Sequence, residues 1–397
     1  MVTLKKLKIG LVGVGRRAQA HLPVIAALGD VYDFVAVCDM NPEAAKAAAE
    51  KYGTKAYTSV ETMVEKEKLD VVDLTTPGDS HHAFTCFLAE MGINVIVETP
   101  IAITLPLADL MINSAKKAGV KLEVAENYYR APSERFRRAL LDKGVVGEIV
   151  RIYRIFQEVG YHGMSWVRVM SGGSPKSIMG VTKEAPIVPV TDRMKRHHTS
   201  DSWNMGIIDF DNGVIAITMY SNIIHAGSLG RRIIFFTQID GAKGTIVNDE
   251  IHIVKPENLE LGGISTAYPM KRVMTSEGSK AVLERIEADT EPKVVWENPF
   301  KGYPLSEHQI SIADELWSIA KAVLQDAEPE YGPYEARKDM EMGIAIQESA
   351  RQGRKPISLP LTDVTEHENR IHRNFREKYG VDPFKVQELL STVYPRV

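Results

Sequence analysis

Cysteine is nearly absent: the 397 residues contain two. Cys38 falls in a predicted strand and Cys86 in a predicted helix, and both read as buried free thiols, as expected of a reducing cytoplasm. An excess of either charge is missing too. Lys plus Arg number 48 against 52 Asp plus Glu, a net charge of −4, which gives no reason to invoke nucleic acid or an anionic membrane as partner. No uninterrupted apolar run is long enough to span a bilayer. Lys5, Lys6 and Lys8 precede an apolar stretch as a secretion signal would, but that stretch is short and glycine-rich. Internal repeats and low-complexity tracts are absent, and the length suits two or three domains with a sizeable core.

What is present is concentrated between residues 8 and 39. A strand (Lys8-Ile9-Gly10-Leu11-Val12) leads to a glycine turn, Gly13-Val14-Gly15-Arg16-Arg17-Ala18. A helix to about Leu28 and a second strand, Phe34–Cys38, follow, ending in Asp39. Each part suits a dinucleotide. Gly13 permits the tight turn, Gly15 lets the backbone approach a pyrophosphate, and Ala18 allows helix and strand to pack closely. The helix start offers free N–H groups and partial positive charge to phosphates. Asp39, about 20 residues further on, is placed to accept hydrogen bonds from a ribose 2′-hydroxyl. Its charge would repel a 2′-phosphate, so NAD is favoured over NADP, with Arg16 and Arg17 weighing the other way.

The alternation continues beyond Asp39. Asn41-Pro42 starts a helix through Tyr52, with Asn41 as cap and Pro42 at the first helical position. A short helix is predicted over 59–67, then a strand over 70–74 ending in Thr75-Thr76-Pro77. A helix over about 80–91, a strand over 94–97, a helix over about 105–118 and a strand over 120–124 complete the series. Strands alternating with such helices imply a doubly wound parallel sheet, a Rossmann domain over 1–125. After it comes an α+β domain with an open, mainly antiparallel sheet, over 126–361. Its strands are read at 148–157, on either side of an Asn212-Gly213 hairpin, and at 233–236, 245–247 and 251–254. Helical periodicity returns over 308–324 and 334–351. A helical extension, 362–397, ends in a helix capped at Asp382-Pro383-Phe384, and it packs either on its own domain or on a neighbour. The charge runs at 61–68 and 366–378 read as solvated helix faces.

In an open parallel sheet, ligands bind beyond the carboxyl ends of the strands. Those ends here are Thr75-Thr76-Pro77-Gly78 with His81, Glu98-Thr99-Pro100, and Glu126-Asn127-Tyr128-Tyr129-Arg130. With these residues, and with Lys143-Gly144-Val145-Val146-Gly147-Glu148, the chain from about Leu7 to Pro360 resembles the Gfo/Idh/MocA family of sugar and polyol dehydrogenases. The resemblance implies NAD(P) across the strand ends and a carbohydrate-like substrate between two domains. It also implies dimers or tetramers formed through the open sheet. Gly13, Gly15, Arg16, Arg17, Asp39, Thr76, Pro77, His81, Glu98 and Asn127 become the candidate cofactor residues. Tyr128, Arg130 and Tyr161 become candidate sugar contacts.

The chain departs from the family at one position. Members usually carry Glu-Lys-Pro where Glu98-Thr99-Pro100 stands, and the lysine positions cofactor and substrate hydroxyl. Thr99 can hydrogen-bond there but cannot exchange a proton at neutral pH. Some relatives also lack the lysine, including NAD-dependent glycosidases of the α-N-acetylgalactosaminidase type, whose corresponding stretch is similar to Glu126–Arg130. The family's acid, followed four residues later by histidine, corresponds to Glu158 and His162 in Gln157-Glu158-Val159-Gly160-Tyr161-His162-Gly163. His162 is the candidate base, near the start of a helix whose dipole should favour the neutral ring. Glu158 would orient it.

Lesser candidates have weaker support. His81 serves as helix cap, packing group or cofactor contact, and His82 as its solvated neighbour. His197-His198, in a predicted polar loop with Lys195 and Arg196, lacks acid or cysteine partners at ligand spacing, so no metal is expected. That loop covers the substrate in the alternative reading. Trp203 and His225 are pocket candidates without a motif. Three functions follow: an NAD-dependent oxidoreductase of a secondary hydroxyl on a sugar or polyol, a redox-neutral NAD-dependent glycosidase, and a non-catalytic NAD-binding protein.

Overall fold

The computed structural model describes residues 5–155, 160–192, 197–225, 236–261, 263–278 and 280–395. Six parallel strands form the first sheet: β1 (Leu7–Val12), β2 (Tyr32–Cys38), β3 (Lys55–Tyr57), β4 (Val71–Leu74), β5 (Asn94–Glu98) and β6 (Leu122–Ala125). Their order is β3-β2-β1-β4-β5-β6. Central strands such as β4 are buried at every residue, as expected of strands covered by helices on both faces. The covering helices are α1 (Ala18–Ala27), α2 (Pro42–Tyr52), α3 (Val60–Glu67), α4 (His81–Glu90) and α5 (Leu105–Ala118). Helix α2 begins as its sequence requires: Asn41 Oδ1 accepts from the Glu43 and Ala44 amides, and Gly53 ends the helix in the left-handed conformation. The strand order reverses between β1 and β4, which opens a crevice at their carboxyl ends.

The chain then crosses through α6 (Pro132–Asp142) into the second sheet at β7 (Ile149–Ile155), followed by α7 (Tyr161–Ser171). Strands β8 (Pro175–Thr191), β9 (His197–Phe210) and β10 (Ile215–Ser221) come next, with a short helix α8 (Asn222–His225). Then follow β11 (Phe236–Gly241), β12 (Gly244–Val247), β13 (Glu250–Val254) and β14 (Ser265–Pro269). The sheet is mixed, because β7 and β10 run parallel while their other neighbours are antiparallel. The Asn212-Gly213 turn joins β9 to β10, with Gly213 at φ 86°. A separate three-stranded sheet, β15 (Lys271–Glu277), β16 (Lys280–Ala288) and β17 (Val294–Glu297), was not anticipated. Helices α9 (Glu307–Gln325) and α10 (Pro333–Arg351) follow, and β18 (Ile357–Ser358) adds an edge beside β8. His197 and His198 open β9 rather than lying in a loop, and His198 Nε2 is 2.9 Å from Asp192 Oδ2.

Helix α10 lies unusually close to the second sheet. Gly180 of β8 and Gly206 of β9 are register partners. A Cβ on Gly180 would fall 2.2 Å from the Ile346 carbonyl oxygen, and one on Gly206 would fall 2.8 Å from Ile346 Cδ1. Only glycine leaves room for the helix backbone at 180, while Gly206 leaves room for the Ile346 side chain.

The extension folds back on the first domain. Its main helix is α11 (Glu366–Tyr379), with a capping box between Thr365 and Glu368. Asp382 caps a turn instead, accepting from the Phe384 amide at 3.0 Å, and only a short α12 (Val386–Leu389) follows. The solvated face expected at 366–378 has a buried side, formed by Glu368, His372 and Phe375. Glu368 accepts from the Leu105 amide at 2.8 Å, and Phe375 and Leu389 pack with Ala83 of α4. His82, expected in solvent, is fully buried beneath the extension. Its Nε2–H donates to the Pro383 carbonyl at 2.8 Å, while Nδ1 is buried with no partner among the described residues.

That geometry holds His82 neutral, because a proton on Nδ1 would have no acceptor; burial lowers its pKa from 6.5 to about 4. The unfolded chain takes up this proton more readily than the folded one. The associated stability is therefore complete above pH 6.5 and is lost as pH falls toward 4. Amide hydrogen exchange should show α11 and α12 losing protection over that window. His82→Gln should reduce the loss, leaving the same-signed parts from His81, His367 and His372, whose pKa values burial also lowers.

Candidate active site

The glycine turn is shaped as the sequence requires. Gly13 has φ 92°, and a Cβ there would lie 2.9 Å from Thr76 Cγ2 and 3.0 Å from the Thr75–Thr76 backbone. A Cβ on Gly15 would meet nothing within 4 Å, so its backbone faces open space. Asp39, at the end of β2, accepts from the Val14 amide at 2.7 Å and the Asn41 amide at 2.8 Å. It thereby ties the turn to the strand end. Gly13, Gly15, Arg16, Arg17, Asp39, Thr76 and Pro77 all line one cleft of about 870 Å³. These residues fit a dinucleotide: a cradle that a side chain would fill, an open helix start and an acid at the ribose position.

Beneath the cleft is a buried charge cluster that the sequence reading did not anticipate. His21 of α1 sits between two carboxylates, Nδ1 2.9 Å from Asp73 Oδ2 and Nε2 2.8 Å from Glu98 Oε1. Arg17 Nε also donates to Glu98 Oε1, and Glu315 of α9 is 3.7 Å from His21. Burial alone would lower the His21 pKa, but Asp73 and then Glu98 raise it to about 10, so the ring is an imidazolium. Burial opposes ionisation of Glu98, yet Arg17 and His21 hold its pKa well below the usual range. Burial pushes Glu315 up to about 8, which leaves it largely protonated at neutral pH. The only outward signs of this cluster were polar residues interrupting apolar runs: His21 in α1, Asp73 in β4 and Glu315 in α9.

Several expected cofactor or sugar contacts are occupied within the protein. Glu98 engages Arg17, His21 and, through Oε2, the Thr99 amide at 2.9 Å, so it organises the site from below rather than facing a cofactor. His81 is fully buried, with Nδ1 2.8 Å from the Pro100 carbonyl and Nε2 2.9 Å from that of Thr76. It braces the two loops against each other instead of reaching the cleft. Arg130 is fully buried and bonded to Glu123 at 2.7 Å, so it anchors α6 and does not contact a sugar. Tyr129 is buried against Tyr331. Asn127 is 2% exposed, and its Oδ1 has no partner among the described residues.

His162 is held by a partner other than the one expected. Glu158 lies outside the described residues, whereas Glu126 Oε2 is 2.8 Å from His162 Nδ1. The pairing of Glu98 with Ala125 in adjacent strands brings Glu126 off the sheet beside Thr99. Its carboxylate is fully buried, while His162 retains 21% side-chain exposure. Tyr128 stacks on the imidazole at 4.1 Å between centroids and 22° between planes. Tyr161 meets its edge at 6.3 Å, and its hydroxyl is 3.1 Å from that of Tyr331. Tyr161 thus buttresses His162, with Tyr331 held in turn by Asp339 of α10 at 2.5 Å.

Residues 7–126 match the model of the Gfo/Idh/MocA oxidoreductase family, described as an NAD-binding Rossmann fold. D-apiose dehydrogenase of Paraburkholderia graminis is 34% identical over 147 residues, 36% of this chain and 39% of that protein. D-glucoside 3-dehydrogenase of Escherichia coli is 30% identical over 185 residues, 45% of this chain and 52% of that protein. The chain thus matches about half or less of these relatives' length. A solved structure of levoglucosan dehydrogenase with NADH and levoglucosan superposes with a TM-score of 0.67 at 19% identity, over 90% of this chain and all of that one. At that identity the likeness is one of fold.

Two substitutions test the geometry. Asp39→Ala should shift the NADP-to-NAD ratio of dissociation constants toward NADP by about tenfold, a loss of roughly 1.4 kcal/mol of discrimination; an unchanged ratio removes Asp39 from the ribose site. His21→Leu should cost roughly 3–5 kcal/mol in chemical denaturation, because it leaves Asp73 and Glu98 buried without their shared cation. The stability from the raised His21 pKa is fully present below pH 6.5 and is lost as pH rises through about 10.

Proposed function

We propose, from the match of residues 7–126 to the NAD-binding Gfo/Idh/MocA oxidoreductase family, that this chain is an NAD-dependent dehydrogenase of a secondary hydroxyl on a sugar or polyol. The observation that carries the reading is the His162–Glu126 pair beside Thr99 at the carboxyl ends of β5 and β6. Bound NAD supplies the hydride acceptor. A carboxylate only accepts hydrogen bonds, so the neutral ring keeps its proton on Nδ1 and its basic nitrogen is Nε2. Nε2 takes the hydroxyl proton as the C–H bond of the same carbon breaks. Glu126 stabilises the imidazolium that results and fixes the ring's rotation, the role of the acid in other histidine-centred sites. Tyr128 and Tyr161 limit tilting of the ring from two sides.

A second reading, the redox-neutral glycosidase, is favoured by one residue. Thr99 stands where the family usually has lysine, and it supplies no ionisable group at neutral pH. In that cycle, oxidation at C3 acidifies the C2 proton, the C1 substituent leaves, water adds, and the hydride returns.

A panel of sugars, polyols and aryl glycosides, followed for NADH and released aglycone together, separates the readings. NADH rising in step with sugar consumption supports the dehydrogenase, and aglycone release without net NADH supports the glycosidase. On an active substrate, His162→Ala should lower kcat by about 10²- to 10⁴-fold. Glu126→Gln should lower kcat with little change in KM and displace the pH–rate profile. Unchanged kcat in His162→Ala would refute the assignment of the base.

A further inference from the structure

The cleft that fits the dinucleotide has a wall from a distant part of the sequence. Beside the glycine turn and Asp39, it is lined by Leu390, Ser391, Val393, Tyr394 and Pro395. These residues follow α12 and are held in place from below. Tyr394 is 9% exposed, packs edge-on to Phe84 of α4 and against Tyr379 of α11, and donates to the Leu389 carbonyl at 3.1 Å. Lys378 and Tyr379 bind Asp79 at 2.9 and 2.5 Å, just after the Thr76–Pro77 loop that also lines the cleft.

Resting on the NAD reading above, we propose that residues 390–395 form a subsite for the adenosine half of the dinucleotide, with Val393 and Met40 as its apolar faces. Two observations carry this. Val393 is 71% exposed and Met40 51%, both large and apolar, and both line this cleft, so each gains from covering a planar base. Met40 directly follows Asp39, the acid at the ribose position, which puts the adenine side of the cleft at Met40 and the nicotinamide side toward Thr99 and His162. The segment therefore contacts the half of the cofactor that takes no part in hydride transfer. Its role is retention rather than chemistry.

The test compares three probes, NADH, ADP-ribose and reduced nicotinamide mononucleotide, on the full chain, on a chain shortened after Leu390, and on Val393→Asp. Val393 is exposed, so its substitution leaves the core intact even if the shortened chain folds poorly. Both changes should weaken NADH and ADP-ribose by about tenfold, the scale of one buried valine-sized side chain, and speed NADH release. The mononucleotide should bind as before. Equal NADH affinity in Val393→Asp and the full chain would overturn the subsite while leaving the NAD reading intact. Equal weakening of all three probes would also overturn it. A full chain that binds none of the three removes the NAD reading, and the subsite with it.

Discussion

The site depends on one buried cation. His21 lies on α1 and its two carboxylates on β4 and β5, so a single imidazolium joins the first helix to the two strands beyond the reversal in strand order. Glu315 brings α9 to the same point. Removing water from two carboxylates and two cations is expensive, and the arrangement persists because each charge faces an opposite one. Its position matters more than its net contribution to stability. Glu98 and Arg17, both at the floor of the crevice, take their orientation from it, and Thr99 follows Glu98 directly with its amide on the same carboxylate. Positive charge is thus held inside the protein, on Arg17 and His21, against the carboxylate that precedes Thr99.

The second constraint is the meeting of two domains at His162. Glu126 leaves the parallel sheet at β6, whereas His162 begins α7 of the other domain. The hydrogen bond between them joins the parallel sheet to α7, so the orientation of the His162 ring depends on that contact. Behind it, Tyr161, Tyr331, Asp339 and Arg168 continue the support into α10, with Arg168 Nε 2.6 Å from Asp339 Oδ1.

Much of the first domain was legible in the sequence because its signals are local. The glycine turn, the Asn41-Pro42 start of α2 and the apolar strands each follow from a few consecutive residues, and their order dictates the parallel sheet. The site was less legible because its pairs are distant. Glu126 stood in a recognised motif, yet nothing in the spacing tied it to a histidine 36 positions later. Likewise, His81 and Arg130 have the chemistry of binding residues, and only burial shows that their donors serve the fold. The three-stranded sheet over 271–297 is not legible in the sequence because its charged residues mask the alternation that marks a strand. His82 reads as solvated from its neighbours in sequence because its cover arrives 301 residues later, with Pro383.

The glycine pair at 180 and 206 sets a length in the molecule. Gly180 lets the α10 backbone rest directly on β8 at Ile346, and Gly206 beside it leaves room for the Ile346 side chain. Asp339 rides on the same helix, two turns earlier, and through Tyr331 it reaches the tyrosine beside the His162 imidazole. A methyl group at Gly180 would act as a shim, lifting the helix and passing the displacement to His162. The second sheet is thus the datum against which the position of His162 is measured, although no atom of those two glycines approaches the chemistry.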